Sequence, residues 1–232
     1  MNFKKTKSFM QFYYELGLTE IFSKHTSSKL KIVDNETKKE NLNIEENKNE
    51  LLNNLKAEIL NTKIGLQDTA TNLVFGAGNI NSKIMIVGDA PDTNDDREGL
   101  PFQGIIGNFL ERILQSINLS RKDTYLSNLV FWRPPGNRSI SQEEVKLCLP
   151  LTIKHIKIIK PAYLIILGGI ASKSILETEK NITELRGKVF DSKYFKKTKI
   201  FPIFHPKFLA QNTLEKKITW FDLLHISEII NN

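Results

Sequence analysis

Apolar residues along this chain follow two alternating rhythms: short runs of strand length, and longer stretches that repeat every three or four positions. The short runs are Lys83–Gly88, Thr124–Phe131, Ala162–Leu167 and Lys199–Phe204, each read as a buried strand. Between the first two, Ile105, Ile106, Phe109, Leu110, Ile113, Leu114 and Ile117 make a helical stripe. Ser141 followed by Glu144 is a capping box for a helix reaching about Ile159, with Pro150 expected to bend or restart it. Gly168 and Gly169 turn the third strand into a helix through Leu176, and Thr213–Ile230 closes the chain as a helix. Leu52, Leu55 and Ile59 predict one more helix leading into the alternation. Strands separated by helices imply βαβ units, so the expected fold is α/β: a three-layer αβα sandwich around a short, mainly parallel central sheet.

Upstream the pattern changes. Phe9, Phe12, Tyr13 and Leu16 fall at i, i+3, i+4 and i+7, which predicts an amphipathic helix within residues 1–22 that packs on the body or on a protein partner. Ser23–Lys48 is polar and without period, read as a flexible linker over 23–48, leaving 49–232 as the main domain. Lys4, Lys5 and Lys7 are not followed by an apolar stretch, so no secretory signal is expected. The longest apolar run, Ala162–Ala171, falls short of the roughly 20 residues a membrane helix needs. A cytoplasmic monomer is expected. The formal charge of +7 suits a phosphate-backbone partner. The single cysteine, Cys148, leaves no intramolecular disulfide and no all-cysteine metal site, and no metal or cofactor is expected.

The chemistry concentrates where the strands end, which is where ligands bind in such sheets. One long loop runs Gly88-Asp-Ala-Pro-Asp-Thr-Asn-Asp-Asp-Arg-Glu-Gly-Leu-Pro-Phe-Gln-Gly104, and loops of that length are mostly functional. A second cluster is Tyr125-Leu-Ser-Asn-Leu-Val-Phe-Trp-Arg-Pro-Pro-Gly-Asn-Arg138, and a third is Phe204-His205-Pro206. These three, in this order, with Leu167-Gly168-Gly169 and Leu185-Arg186-Gly187, resemble the motifs of family-4 uracil-DNA glycosylases from about Asn61 to the C-terminus.

The resemblance implies hydrolysis of the N-glycosidic bond of deoxyuridine in DNA, with the base flipped into a pocket. Phe102 would stack on uracil, and Asn128 would donate to O4 and accept from N3–H, a pairing that cytosine cannot satisfy. His205 would donate to O2 as charge develops on the departing base. Asp89 would position the attacking water, since an oxocarbenium-like transition state needs little nucleophilic push. Gly88, Ala90, Pro91 and Asp92 would complete the pocket. Arg133, Asn137, Arg138, Arg186 and Lys207 are candidate DNA contacts, with Gly168 and Gly169 as a helix start able to hold a phosphate. A rival reading is an inactive relative that binds single-stranded DNA or a replication or repair partner.

The chain departs from the family in places. Typical members hold a four-iron cluster through four cysteines, yet Trp132 stands at one of those positions and only Cys148 remains. Phe131 and Trp132 are expected to fill that volume with apolar packing. Asp89 is one methylene shorter than the usual Glu. Asp92 stands where Gly is common, near the C5 edge of the base, where a carboxylate could exclude a methyl group, assist a water or damage the pocket. The residues after His205-Pro206, Lys-Phe-Leu-Ala-Gln, are also unusual. Purified protein should be colourless and free of stoichiometric iron; a brown preparation with about four irons per chain would contradict this, because such clusters need thiolate ligands.

Overall fold

The computed structural model describes residues 35–231, with side chains from residue 46 onward. The helix expected within 1–22 and the first part of the expected linker lie outside the described residues. Helix α1 spans Asn35–Asn61, so the stretch 35–48, expected as linker, is helical. Its Lys, Glu and Asn residues include no glycine or proline to stop a helix. Lys48 fastens it to the body, donating from Nζ to the carbonyls of Ile80 and Ile159 at 3.1 Å each.

The chain then runs through β1 (Ala77–Gly78), β2 (Ile84–Gly88), α2 (Thr93–Glu98), α3 (Gly104–Gln115), β3 (Thr124–Asn128) and α4 (Gln142–Ile159). Next come β4 (Tyr163–Leu167), α5 (Gly169–Leu176), α6 (Ile182–Leu185), β5 (Phe190–Asp191), β6 (Lys199–Ile203), α7 (Pro206–Gln211) and α8 (Thr213–Ile230). They build one sheet in the order β1-β3-β2-β4-β6-β5. Its inner strands are parallel, and the two-residue edge strands β1 and β5 are antiparallel. The edges are too short to show any alternation in sequence.

Both faces of the sheet are covered, which explains the near-continuous apolar strands. Ile84 and Ile86 of β2 join a cluster with α3 and α8, while Met85 and Val87 join the opposite cluster with α4 and α5. The helices following β2 and β4 therefore leave towards opposite faces, making a topological switch point between Gly88 and Gly168 where a crevice opens.

Several expectations need adjusting. β3 ends at Asn128 rather than Phe131, although Leu129 to Trp132 stay buried. Ile105 is 78% exposed and lies outside the packing stripe of α3. Pro150 does not restart α4, which is continuous over Gln142–Ile159 and carries the proline on its exposed side. A third apolar cluster packs Leu55 and Ile59 of α1 with Phe131, Trp132, Cys148 and Leu151. Removing a buried ring leaves a cavity as well as lost transfer energy, so Trp132→Ala should cost about 3–5 kcal/mol in denaturant unfolding. A loss below about 1 kcal/mol would mean that this ring is not structural.

Candidate active site

The crevice at the switch point has a volume of about 310 Å³. Asp89, Ala90, Pro91 and Asp92 line it together with Phe102. Asn137 and Arg138 also line it, as do His205, Lys207 and Phe208.

Each acid or base here is held by a helix start. Asp89 follows β2, and its Oδ1 accepts from the backbone N–H of Ala171 at 2.7 Å, in the first turn of α5. The carboxylate lies so close to Gly168 that a Cβ there would stand 2.3 Å from Asp89 Oδ2. The Ala171 amide at that helix start is thus taken by Asp89, and the missing side chain of Gly168 makes room for this contact, while Gly169 faces Ile182. Burial pushes the Asp89 carboxyl up to about 6, against the backbone hydrogen bonds from Ala171 and Ile170 that lower it. Asp92 is the N-cap of α2: its Oδ1 accepts from Asn94 N at 2.7 Å and Asp95 N at 3.1 Å. Its carboxylate faces the crevice as a satisfied cap.

His205 is the N-cap of α7, accepting at Nδ1 from the backbone N–H of Lys207 at 3.1 Å. That bond assigns the neutral ring's proton to Nε2, leaving an N–H donor for a ligand. Burial, reinforced by the positive charge of Lys207, drives the imidazole down to about 4, so it is neutral at physiological pH.

Phe102 is buried, with its ring 6.2 Å from that of His205 between centroids. Beneath it, a Cβ on Gly88 would come within 2.8 Å of Phe102 Cζ and 2.6 Å of Asn128 Oδ1, so this strand end accommodates only glycine. Asn128 closes β3 with its side chain buried, and neither Oδ1 nor Nδ2 has a hydrogen-bond partner. An unpaired buried polar group costs about 1–3 kcal/mol. The amide does not itself line the crevice; it lies behind Gly88 and Phe102, of which Phe102 is a lining residue.

The basic candidates divide. Lys207 is exposed at the crevice mouth. Arg133 Nε donates to Asn137 Oδ1 at 2.8 Å, and Asn137 Nδ2 donates to Thr93 Oγ1 at 3.1 Å, tying this loop to α2. Arg138 forks onto Glu144 at 2.9 and 2.5 Å, reinforcing the cap of α4. Arg186 does not line the crevice; it lies over the Phe204 ring at 5.6 Å and grips buried Asp222 at 2.8 and 2.5 Å and the Ile218 carbonyl at 3.0 Å. These contacts tie the segment after α6 to α8. Asp95, buried in the same loop, was not singled out from the sequence; its spacing to Asp92 is that of a capping box, which is the available signal.

The model of the uracil DNA glycosylase superfamily matches residues 75–224. The chain belongs to this superfamily. It is 36% identical over 163 residues to a type-4 uracil-DNA glycosylase of Archaeoglobus fulgidus, covering 68% of this chain and 82% of the relative. A type-4 uracil-DNA glycosylase of Sulfurisphaera tokodaii is 36% identical over 185 residues, 77% of this chain and 84% of that one. A third, from Thermotoga maritima, is 36% identical over 143 residues, 61% and 73% of the two chains.

The four-iron cluster typical of family-4 members does not fit the residues present in this superfamily member. Its one cysteine, Cys148, is fully buried among Leu55, Ile59, Phe131 and Trp132. Burial pushes that thiol up to about 12, the opposite of a metal-ligating thiolate.

The geometry of His205 yields a direct titration test. Its ring carbon shifts, followed by NMR, should keep the neutral Nε2–H form at pH 6 and move only as the pH approaches about 4. A midpoint near the ordinary value of 6.5 would contradict the half-buried, capped imidazole.

Proposed function

We propose that this chain hydrolyses the N-glycosidic bond of deoxyuridine in DNA, releasing uracil and leaving an abasic site. The observation that carries the reading is the buried Asn128 amide with both ends unpaired, behind Gly88 and the Phe102 ring, where Phe102, the neutral His205 imidazole and Asp89 line one crevice.

In this reading uracil slides over the Phe102 ring, O4 accepts from Asn128 Nδ2, and N3–H donates to Asn128 Oδ1. As the C1′–N1 bond breaks, its electron pair passes to the base, and His205 Nε2–H meets the charge gathering on O2. A neutral donor serves here because it stabilises the uracil anion by a hydrogen bond without giving up its own proton; the proton released when water adds to C1′ is the one that neutralises the departed base. Asp89, ionised above about pH 6, orients the water whose oxygen bonds to C1′. Lys207 and the Arg133–Asn137 loop flank the crevice as the phosphate contacts. Arg138 and Arg186, each forked onto a carboxylate through two hydrogen bonds, are not assigned that task, whereas Arg133 stands 3.8 Å from Asp96 without a hydrogen bond to it. Action as a cytoplasmic monomer belongs to the same proposal, as does a protein partner for the N-terminal segment. Among the described residues no helix is long and apolar enough to cross a membrane.

Strand scission by alkali after incubation with a uracil-containing oligonucleotide tests the activity, with no scission expected from an inactive DNA-binding relative. His205→Ala should slow single-turnover cleavage about a hundred- to a thousandfold, the usual loss for one oxyanion donor. Its affinity for undamaged DNA should hardly change; an unaltered rate would remove His205 from the chemistry. The rate should also fall as pH drops below about 6, because Asp89 then gains a proton. Asp89→Asn should be slow at every pH and lack this limb; a limb that persists in the variant would belong to another group.

A further inference from the structure

Phe102 has a φ of 56°, a left-handed conformation that residues with a side chain seldom adopt. The backbone there must be held by its surroundings, and contacts converge on it from two sides. On one side, Asp95 Oδ1 accepts from the backbone N–H of Gln103 at 2.6 Å, and its Oδ2 accepts from Asp92 N at 3.2 Å. On the other side stands Arg121, just ahead of β3. Its Nη2 donates to the Phe102 carbonyl at 2.5 Å and its Nη1 to the Pro101 carbonyl at 3.2 Å. Glu111 of α3 accepts from Arg121 Nε at 2.8 Å and so aims the guanidinium. Gly107 clears the space, since a Cβ there would stand 1.9 Å from the Phe102 oxygen.

We propose that Arg121, which does not line the crevice, is a positioning residue for base capture: by gripping the two carbonyls it fixes the left-handed turn and so sets the Phe102 ring against Gly88, Asn128 and His205. The inference rests on the glycosylase reading given above. A planar guanidinium suits the task because it presents donors in a rigid fork, whereas an ammonium presents a point charge. Arg121 touches no reacting atom and acts only through the ring.

The test combines kinetics with a measurement that needs no substrate. Arg121→Met should slow single-turnover cleavage of uracil-containing DNA about a hundredfold, the scale of a misplacement of about 1 Å at the reacting geometry. Affinity for undamaged DNA and melting temperature should move little, and Arg121→Lys should recover part of the rate. Combined with Phe102→Ala, Arg121→Met should cost nothing beyond Phe102→Ala alone, because residues acting through one contact are not additive. A wild-type rate in Arg121→Met, or losses that multiply in the double variant, would overturn the proposal. Amide hydrogen exchange over residues 102–104 reads the clamp itself and should quicken in Arg121→Met. Unchanged exchange would also overturn it. If Arg121→Met does not fold, Arg121→Lys carries the same comparisons. An inactive wild-type protein would count against the glycosylase reading, and the exchange measurement would then decide on the clamp by itself.

Discussion

The first backbone N–H groups of a helix have no partner inside the helix, and the site is built from the side chains that meet this demand. At the carboxyl ends of the strands, Asp89 takes the amide of Ala171, Asp92 caps α2 and His205 caps α7. Each contact that satisfies a helix start also sets a chemical property. The Lys207 amide on Nδ1 fixes the His205 tautomer, and the α5 amide holds the Asp89 carboxylate beside Gly168. The sheet determines where those helices begin, so the reactive groups converge without needing long-range contacts to one another.

Against that background of satisfied groups, Asn128 stands out. Arg138, Arg186 and the caps all find partners at hydrogen-bond distance, while the Asn128 amide has none. Elsewhere the polar groups give way to apolar packing. Trp132, Phe131 and Cys148 form an apolar cluster with α1 and α4. This packing joins α1 to the loop that leads to Arg133.

The sequence made the strand ends legible because their residues are contiguous. Gly88 to Pro91 and His205 close or follow an apolar run, so the turn from strand to loop marks them, whereas Asn128 lies inside the run Thr124–Phe131 and only the structure shows it to end the strand. The alternation of Ile84 to Val87 between two clusters likewise follows from period two. Pairings between distant segments were not legible. Arg186 lies beside a glycine and reads as a phosphate contact, but its partner Asp222 is 36 positions away. Arg121 grips Phe102 from 19 positions away, and nothing local announces it. The helix over 35–48 escaped for another reason: hydrophobicity carries its signal poorly where a helix is polar all round.

The central claim is that the Asn128 amide is kept unpaired for the edge of a uracil ring. Side-chain amide NMR of protein labelled at asparagine nitrogen tests it most directly, with free uracil or cytosine titrated into the folded protein. The account predicts that the Asn128 Nδ2 resonances shift with uracil, as O4 becomes their acceptor, and stay fixed with cytosine, which presents a donor at that position. Resonances that ignore uracil, or that respond equally to both bases, would contradict it.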